Sequence, residues 1–358
     1  MAKDLPGLPA APVEKWLRSV LPDEFADGPW HAEVISGGLS NITYRLHLPS
    51  GRVILRRPPR GHTLPRAHDM AREYRVLSAL VPTAVPVPTP IALCTDPAVL
   101  GVTFYLMREV QGTVLRTTDD TEPLPEAARG QLASAAITTL ADLHAIDVDA
   151  VGLGDYGKRS GYCARQIHTW GGQWERSKTR DLPDMERLLG LLSERAPEDS
   201  GLAIVHGDFR IDNTITAFAA DGTPRIAAVL DWELSTLGDP LADLGTTLSY
   251  WHDPGDAERA RIPVSGGLTD KPGFPTGREL AQMYASRTGR DLGNLPFYVA
   301  LGEMKLAVIC EGVHGRYLGG QTVGEGYDHV GPAVPLLVSR ALKALREGPN
   351  NRMWPPGS

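Results

Sequence analysis

Three polar residues, Asp208, Asn213 and Asp231, have the types and spacing to run phosphoryl transfer. They lie in two short segments, VHGDFRIDN (205–213) and VLDWE (229–233), with Asp208 and Asn213 five residues apart and Asp231 eighteen beyond Asn213. Moving a phosphoryl group asks a protein for little covalent chemistry. It asks for a carboxylate that orients the attacking hydroxyl and for oxygen ligands that hold Mg²⁺ against the nucleotide phosphates. Mg²⁺ is a hard cation that takes one or two carboxylates together with phosphate oxygens and water. Asp208 suits the first role, and Asn213 and Asp231 suit the second. Ala227, Ala228, Val229 and Leu230 form an apolar run that predicts a short buried strand presenting Asp231 at its end. The plainer alternative is that the same residues are ordinary loop and strand-end positions.

Elements able to position such a set are present on both sides of it. Residues 31–48 read as two strands joined at SGGLSN (36–41), where Gly37 and Gly38 permit a tight turn and close backbone approach. Residues 53–57 read as a third strand, which Pro58 and Pro59 must end. Met70, Tyr74, Leu77 and Leu80 recur at helical spacing and predict a helix over 67–80, and 91–94 and 104–107 read as further strands. A short helix is expected at 13–20. Beyond Gly112 the pattern is mostly helical, with segments at 125–146, 185–195, 277–288, 296–316 and 334–345 and a loose tail over the last dozen residues. Sheet first and helix afterwards predicts an α+β protein of two lobes with a cleft, divided as 1–110 and 111–358.

Composition sets the limits. The chain has 358 residues, 42% hydrophobic and 22% charged, as an ordinary globular protein does. A formal net charge of −7 argues against a nucleic-acid partner, which usually meets a basic excess. Cys94, Cys163 and Cys310 are scattered without a CxxC pair, so neither a disulfide framework nor a zinc site is expected, and a reducing cytoplasm fits. The N-terminal stretch lacks the long apolar core of a signal peptide, and no run approaches the length of a membrane span.

Read in order, SGGLSNITYRL, VILRRPP, AHDMAREYRVLSAL, YLMREVQG, LADLH, VHGDFRIDN and LDWELSTLGDPLADLG resemble the aminoglycoside phosphotransferase family of the protein-kinase-like superfamily, over roughly residues 30–345. The likeness is to the branch that stands alone in bacteria and is fused to acyl-CoA dehydrogenases in animals. It implies a bilobal protein-kinase-like fold with a small β-rich N-terminal lobe for the nucleotide and a larger helical C-terminal lobe for catalysis and substrate. It implies ATP and Mg²⁺, with Asp208 as the base-like residue and Asn213 and Asp231 on the metal. On the nucleotide side it points to Gly37 and Gly38, with Ser40 and Asn41 as further donors, although the fuller GxGxxG is absent. Where the superfamily pairs a strand lysine with a helix glutamate, this strand offers Arg56 and Arg57. Arg56 falls on the equivalent position, with Glu73 as its partner, and successive strand residues face opposite sides. Glu73 could otherwise be a solvent-facing helix residue. YLMREVQG resembles the hinge between lobes, where the Arg108 carbonyl and the Val110 N–H would read adenine. His206 is expected to support its loop by hydrogen bonding, and Asp239 and Asp243 to cap the following helix.

The acceptor must be chosen by the helical lobe. Residues 158–180 hold Lys158, Arg159, Arg165, Arg176, Lys178 and Arg180, opposed locally only by Glu175, with Trp170 and Trp174 one helical turn apart. Such a stretch suits an anionic acceptor such as a hydroxyacyl-CoA, with Arg165, Trp170 and Arg176 in contact, whereas a polycationic aminoglycoside calls for an acidic pocket. A solvated basic face with two packed tryptophans is the alternative. The expected activity is ATP-dependent phosphorylation of a small-molecule hydroxyl. An aminoglycoside- or choline-type kinase, or a nucleotide-binding module without turnover, stands behind it.

Overall fold

Alternating burial along Ile42–Leu48, with Tyr44, Leu46 and Leu48 inward, marks a half-buried strand, and the element is the second of a five-stranded antiparallel sheet. The computed structural model describes residues 3–21, 23, 28–35, 41–59, 69–262, 266–321 and 327–347. Contacts group the chain into two units: Met1–Gln111 with Ala227–Glu233, and Gly112–Ile226 with Leu234–Ser358. Asp231 thus counts with the first unit, although its place in the chain lies far inside the second.

The first unit is mainly sheet. Its elements are α1 (Ala10–Val20), β1 (His31–Val34), β2 (Ile42–Leu48), β3 (Gly51–Arg57), α2 (Met70–Leu80), β4 (Pro90–Cys94), the short α3 (Pro97–Leu100) and β5 (Phe104–Arg108). Strand order is β1-β2-β3-β5-β4, with every pairing antiparallel. Val13 and Leu17 of α1 pack with Tyr44, Leu46, Val53, Leu55, Phe104 and Leu106 in one apolar cluster. α2 begins at Met70, with the Asp69 carboxylate accepting the Arg72 N–H as a cap. The expected turn at 36–40 and the start of the predicted helix at 67–68 lie outside the described residues, as does the end of the chain from 348.

The second unit is mainly helix. It contains α4 (Thr118–Thr121), α5 (Glu126–His144), α6 (Tyr162–Ser177), α7 (Pro183–Glu194), α8 (Pro240–Tyr250), α9 (Gly277–Thr288), α10 (Leu295–Leu318) and α11 (Val330–Glu347). Short strands β6 (Ala203–Val205) and β9 (Thr236–Gly238) pair antiparallel, and β7 (Thr214–Phe218) pairs with β8 (Pro224–Val229). α7 starts at Pro183, whose missing N–H is no loss in a first turn. α11 starts four residues before its expected position and carries Pro335 inside, so the proline did not delimit it. α8 is N-capped by Asp239, which also accepts from Ser200 and from the Tyr298 hydroxyl at 2.8 Å. Among the described residues no helix is long and apolar enough to cross a membrane.

α8 and α10 approach closely because glycine stands at the crossing. A Cβ on Gly245 would overlap the Tyr298 carbonyl, and one on Gly302 would come within 2.9 Å of the Gly245 carbonyl oxygen. Both helices carry residues that hold the chemistry-bearing loop, so this spacing sets the site. Gly245→Ala should therefore destabilise the protein by about 1–3 kcal/mol, the usual cost of overpacking a filled core. Urea unfolding checks this, and an unchanged midpoint would mean that the two helices part freely.

Candidate active site

β6 leads directly into the HGD turn. Gly207 has φ 83°, and a Cβ there would meet the Leu234 carbonyl oxygen at 2.9 Å, so the turn needs glycine twice over. The turn is held by Asp243 of α8, whose Oδ2 accepts the His206 N–H at 2.6 Å and whose Oδ1 accepts the Gly207 N–H at 2.8 Å. His144 lies against the same carboxylate at 3.3 Å and meets the Tyr284 hydroxyl at 2.7 Å. Asp243 is thus not a cap, as its position near a helix start suggested. It sits one turn inside α8 with no free helical N–H to cap, and its carboxylate serves backbone 36 and 37 residues earlier. Burial works to raise the Asp243 carboxyl, but the bond and charge of His144, with His206, hold it below the usual range. Thr247, also on α8, donates to the Phe209 carbonyl at 2.9 Å.

Asp208 emerges from this turn with one oxygen tied and one free. Its Oδ2 accepts from Asn213 Nδ2 at 3.0 Å and lies 3.5 Å from the Arg210 guanidinium. Its Oδ1 is buried with no hydrogen-bond partner among the described residues. The Asp208 N–H donates to His206 Nδ1 at 3.2 Å, the supporting role expected of that histidine. Asn213, in the 3₁₀ turn Ile211–Asn213, also donates to the Asp208 carbonyl at 2.9 Å, so its amide nitrogen is committed and its oxygen is left for a ligand. Arg210 stacks 4.5 Å from the Tyr250 ring centroid and pairs with Asp212 at 3.3 Å, while burial pushes the Asp212 carboxyl up.

In the first unit a second group of charges forms around Arg56. Its Nε donates to Glu73 at 2.9 Å and its terminal nitrogen to Asp231 at 2.6 Å. Glu73 is 2% exposed rather than solvent-facing, and it also accepts from Tyr105 at 3.0 Å and from Asn41 at 3.1 Å. Burial pushes Glu73 up and Arg56 draws it back down. Burial opposes the charge on Arg56 too, yet Glu73 and its acidic neighbours keep it firmly protonated. Arg57 faces the other way, donating to the carbonyls of Pro58 and Gly7. Asn41 donates to Glu233 at 3.1 Å as well, so its nitrogen serves two carboxylates, while its Oδ1 is buried without a partner among the described residues. Asp231 has φ 64°, the only positive value at a non-glycine among the described residues. Such a conformation costs energy and persists where the surrounding structure over-determines it.

Gly37, Gly38 and Ser40 lie outside the described residues. Arg108 is exposed at the end of β5, with its N–H on the Thr89 carbonyl at 2.8 Å, and Val110 is half-buried beyond it. The basic stretch is more neutral than its sequence. Arg159 pairs with Asp149, Lys178 with Glu175 and Arg180 with the fully buried Glu311. Arg165 bonds the Ser160 and Lys158 carbonyls, and Arg176 bonds Gln173. Trp174 is core at 1% exposure. Trp170 is half-buried, and its ring lies 5.5 Å from the Lys305 ammonium.

Asn213 keeps its amide oxygen and Asp231 a carboxylate, hard oxygen ligands of the kind Mg²⁺ takes. Sequence reasoning read Asp243 as a cap and did not single out Tyr105 or Glu233. Only Glu233 carried a local signal, two residues after Asp231 in LDWE.

Replacing Asp243 by Asn turns one acceptor into an NH₂ facing a backbone N–H. Bonds to a charged acceptor are worth about 1.5–3 kcal/mol each, so a loss of about 3 kcal/mol is expected near neutral pH. Because the folded pKa is depressed, the parent's advantage is full above the unfolded value and fades as pH falls through the folded one. Denaturant titrations of both proteins from neutral to acid pH would show this convergence, and a gap that stays constant would deny the charge its role.

The sequence profile of the phosphotransferase enzyme family, APH, matches residues 31–280. Acyl-CoA dehydrogenase family member 11 of Gallus gallus is 35% identical over 351 residues, covering 96% of this chain and 42% of the relative. Acyl-CoA dehydrogenase family member 10 of Mus musculus is 36% identical over 320 residues, covering 88% of this chain and 29% of the relative. The chain thus spans less than half the length of these curated relatives. Among solved structures, a Ralstonia eutropha protein named as an aminoglycoside phosphotransferase aligns with TM-score 0.78 and 31% identity, over 95% of this chain and 99% of that one. Aminoglycoside phosphotransferase APH(4)-Ia, in a ternary complex with AMP-PNP and hygromycin B, shares the fold at TM-score 0.57 and 18% identity, over 95% and 99% of the two chains. A profile match over most of the chain, joined to these relatives, places the chain in the phosphotransferase enzyme family, APH.

Proposed function

We propose that the chain transfers the γ-phosphate of Mg-ATP to a hydroxyl of a small-molecule acceptor, and that the acceptor is a hydroxyacyl-CoA. The observation that carries the transfer chemistry is Asp208, with one oxygen tied by Asn213 and the other buried and unpartnered. A free carboxylate oxygen in that state orients an attacking hydroxyl and takes its proton as transfer proceeds. Asn213 and Asp231 would hold Mg²⁺, which when bound neutralises charge on the nucleotide phosphates. Arg56, fixed by Glu73, would contact those phosphates through its planar fork. The Arg108 carbonyl and the Val110 N–H would read adenine, and Gly37, Gly38, Ser40 and Asn41 would line the phosphates. The three cysteines are buried and unpaired, which supports a cytoplasmic setting.

The acyl-CoA assignment draws on the relatives' names. Proteins called acyl-CoA dehydrogenase family members 10 and 11 contain a segment similar to this chain in less than half their length. A kinase segment joined to a dehydrogenase segment makes sense when both handle one class of acyl thioester, although fold alone does not fix substrate. One feature favours a nucleotide-binding module without turnover: Arg56 stands where the superfamily has lysine, and it is already paired with Asp231.

ADP release in the presence of hydroxyacyl-CoA, sugar, choline and aminoglycoside acceptors decides among these. Strong stimulation by a hydroxyacyl-CoA supports the proposal; none by any acceptor, with Mg-ATP still bound, supports the module. Asp208→Asn should keep Mg-ATP affinity near the parent's and lower turnover about 10²–10⁴-fold, the usual worth of a positioned base. Turnover near that of the parent would remove Asp208 from the chemistry.

Arg165 and Arg176 are the cations of the basic stretch, apart from Lys158, that no carboxylate neutralises among the described residues. Reversing both to Glu should raise the KM for an acyl-CoA while sparing that for ATP. The effect should be a few-fold and should shrink with salt, because partly exposed charges are screened. Unchanged acyl-CoA kinetics at low ionic strength would make the stretch a solvated face.

A further inference from the structure

Lys305 is a buried cation that nothing above employs. It lies on α10 with 8% of its surface exposed. Among the described residues its ammonium has one hydrogen-bond partner, the Gly207 carbonyl, with the Trp170 ring 5.5 Å away. No carboxylate comes within ion-pair reach among those residues. An ammonium carries three N–H donors, so two are unused. Burying a charge this way is costly, and a neutral donor would satisfy one carbonyl at less expense. Burial pulls the Lys305 pKa down, the carboxylates of Asp208 and Asp243 pull it back up, and Arg210 opposes them.

What the contact fixes follows from peptide geometry. The Gly207 carbonyl and the Asp208 nitrogen share one rigid plane. That plane follows a glycine at φ 83°, where the chain has most freedom to turn. Asp243 holds the N–H groups before it, at His206 and Gly207, and His206 Nδ1 holds its far edge at the Asp208 N–H. Lys305 grips the remaining side. Any rotation of the plane would swing the free Asp208 oxygen.

We propose that Lys305 is a positioning residue for phosphoryl transfer, its ammonium locking the Gly207–Asp208 peptide so that the unpartnered Asp208 oxygen faces the acceptor hydroxyl. The proposal rests on the phosphotransferase reading given above. The positive charge matters as well as the hydrogen bond, since it draws on the carbonyl dipole and on the nearby Asp208 carboxylate together.

The test uses the whole chain with Lys305→Ala, assayed for Mg-ATP hydrolysis with water as acceptor and for amide hydrogen exchange at Gly207 and Asp208. Expected are a kcat lower by about 10²-fold, the scale of a small misplacement at a reacting centre, with the KM for ATP unchanged. Exchange at Asp208 should quicken. Added n-propylammonium, which replaces the deleted atoms, should restore much of the kcat and slow the exchange, whereas 1-propanol should not. Equal rescue by both, or unchanged kcat and exchange, would overturn the proposal. Should the alanine variant fail to fold, Lys305→Gln keeps a donor without the charge; a kcat near the parent's in that variant would also overturn it. If the parent neither hydrolyses ATP nor phosphorylates any of the acceptors, the phosphotransferase reading fails separately. The exchange measurement then decides on Lys305 alone: faster exchange, reversed by propylammonium, upholds the locking role, and no change rejects it.

Discussion

The grip of one buried carboxylate on two backbone N–H groups is the constraint on which the HGD turn of the second unit depends. Asp243 binds the amides of His206 and Gly207, and through them sets where Asp208 leaves the chain. The turn cannot hold itself: its glycine is in the left-handed region, and β6 before it has only three residues. Tertiary contacts must fix it. That explains why α8 is buried along nearly all its length and why α10 crosses it over two glycines. Backbone brought this close leaves side-chain anchors little freedom, and small errors there would be felt at the Asp208 carboxylate.

The first unit solves a different problem, that of holding several acidic groups together before any cation arrives. Glu73, Asp231 and Glu233 gather around Arg56 and Asn41 in a largely buried cluster. Left without a cation, such carboxylates would repel and take up protons. Arg56 supplies the charge, while Tyr105 and Asn41 supply neutral donors. The left-handed backbone at Asp231 adds local strain that the cluster must offset.

Much of this was legible in the sequence where short-range rules apply. Residue type and spacing picked out the segments that hold Asp208, Asn213 and Asp231, and strand alternation separated Arg56 from Arg57. Helical periodicity found α5 and α9 within a residue or two of their ends. What failed was long-range. Asp243 sits where a capping rule applies, but its partners lie 36 and 37 residues away. The basic stretch seemed opposed only by Glu175 because Asp149 and Glu311 lie outside it and pair with it only through the fold. Lys305 offered no signal, since a lone lysine in an apolar helix looks like any residue that snorkels to solvent.

The arginine in place of lysine follows from the same electrostatics. A lysine ammonium is a compact point charge, well suited to one anion or to a phosphate pair. Arg56 instead spans two carboxylates at once, presenting Nε to Glu73 and a terminal nitrogen to Asp231 along one rigid fork. The fork fixes the separation of the two acids and offsets part of their charge, with a rigidity that a flexible ammonium lacks. It also leaves donors over, because a guanidinium carries five N–H groups. The substitution therefore keeps the family's ion pair while adding a tie to Asp231.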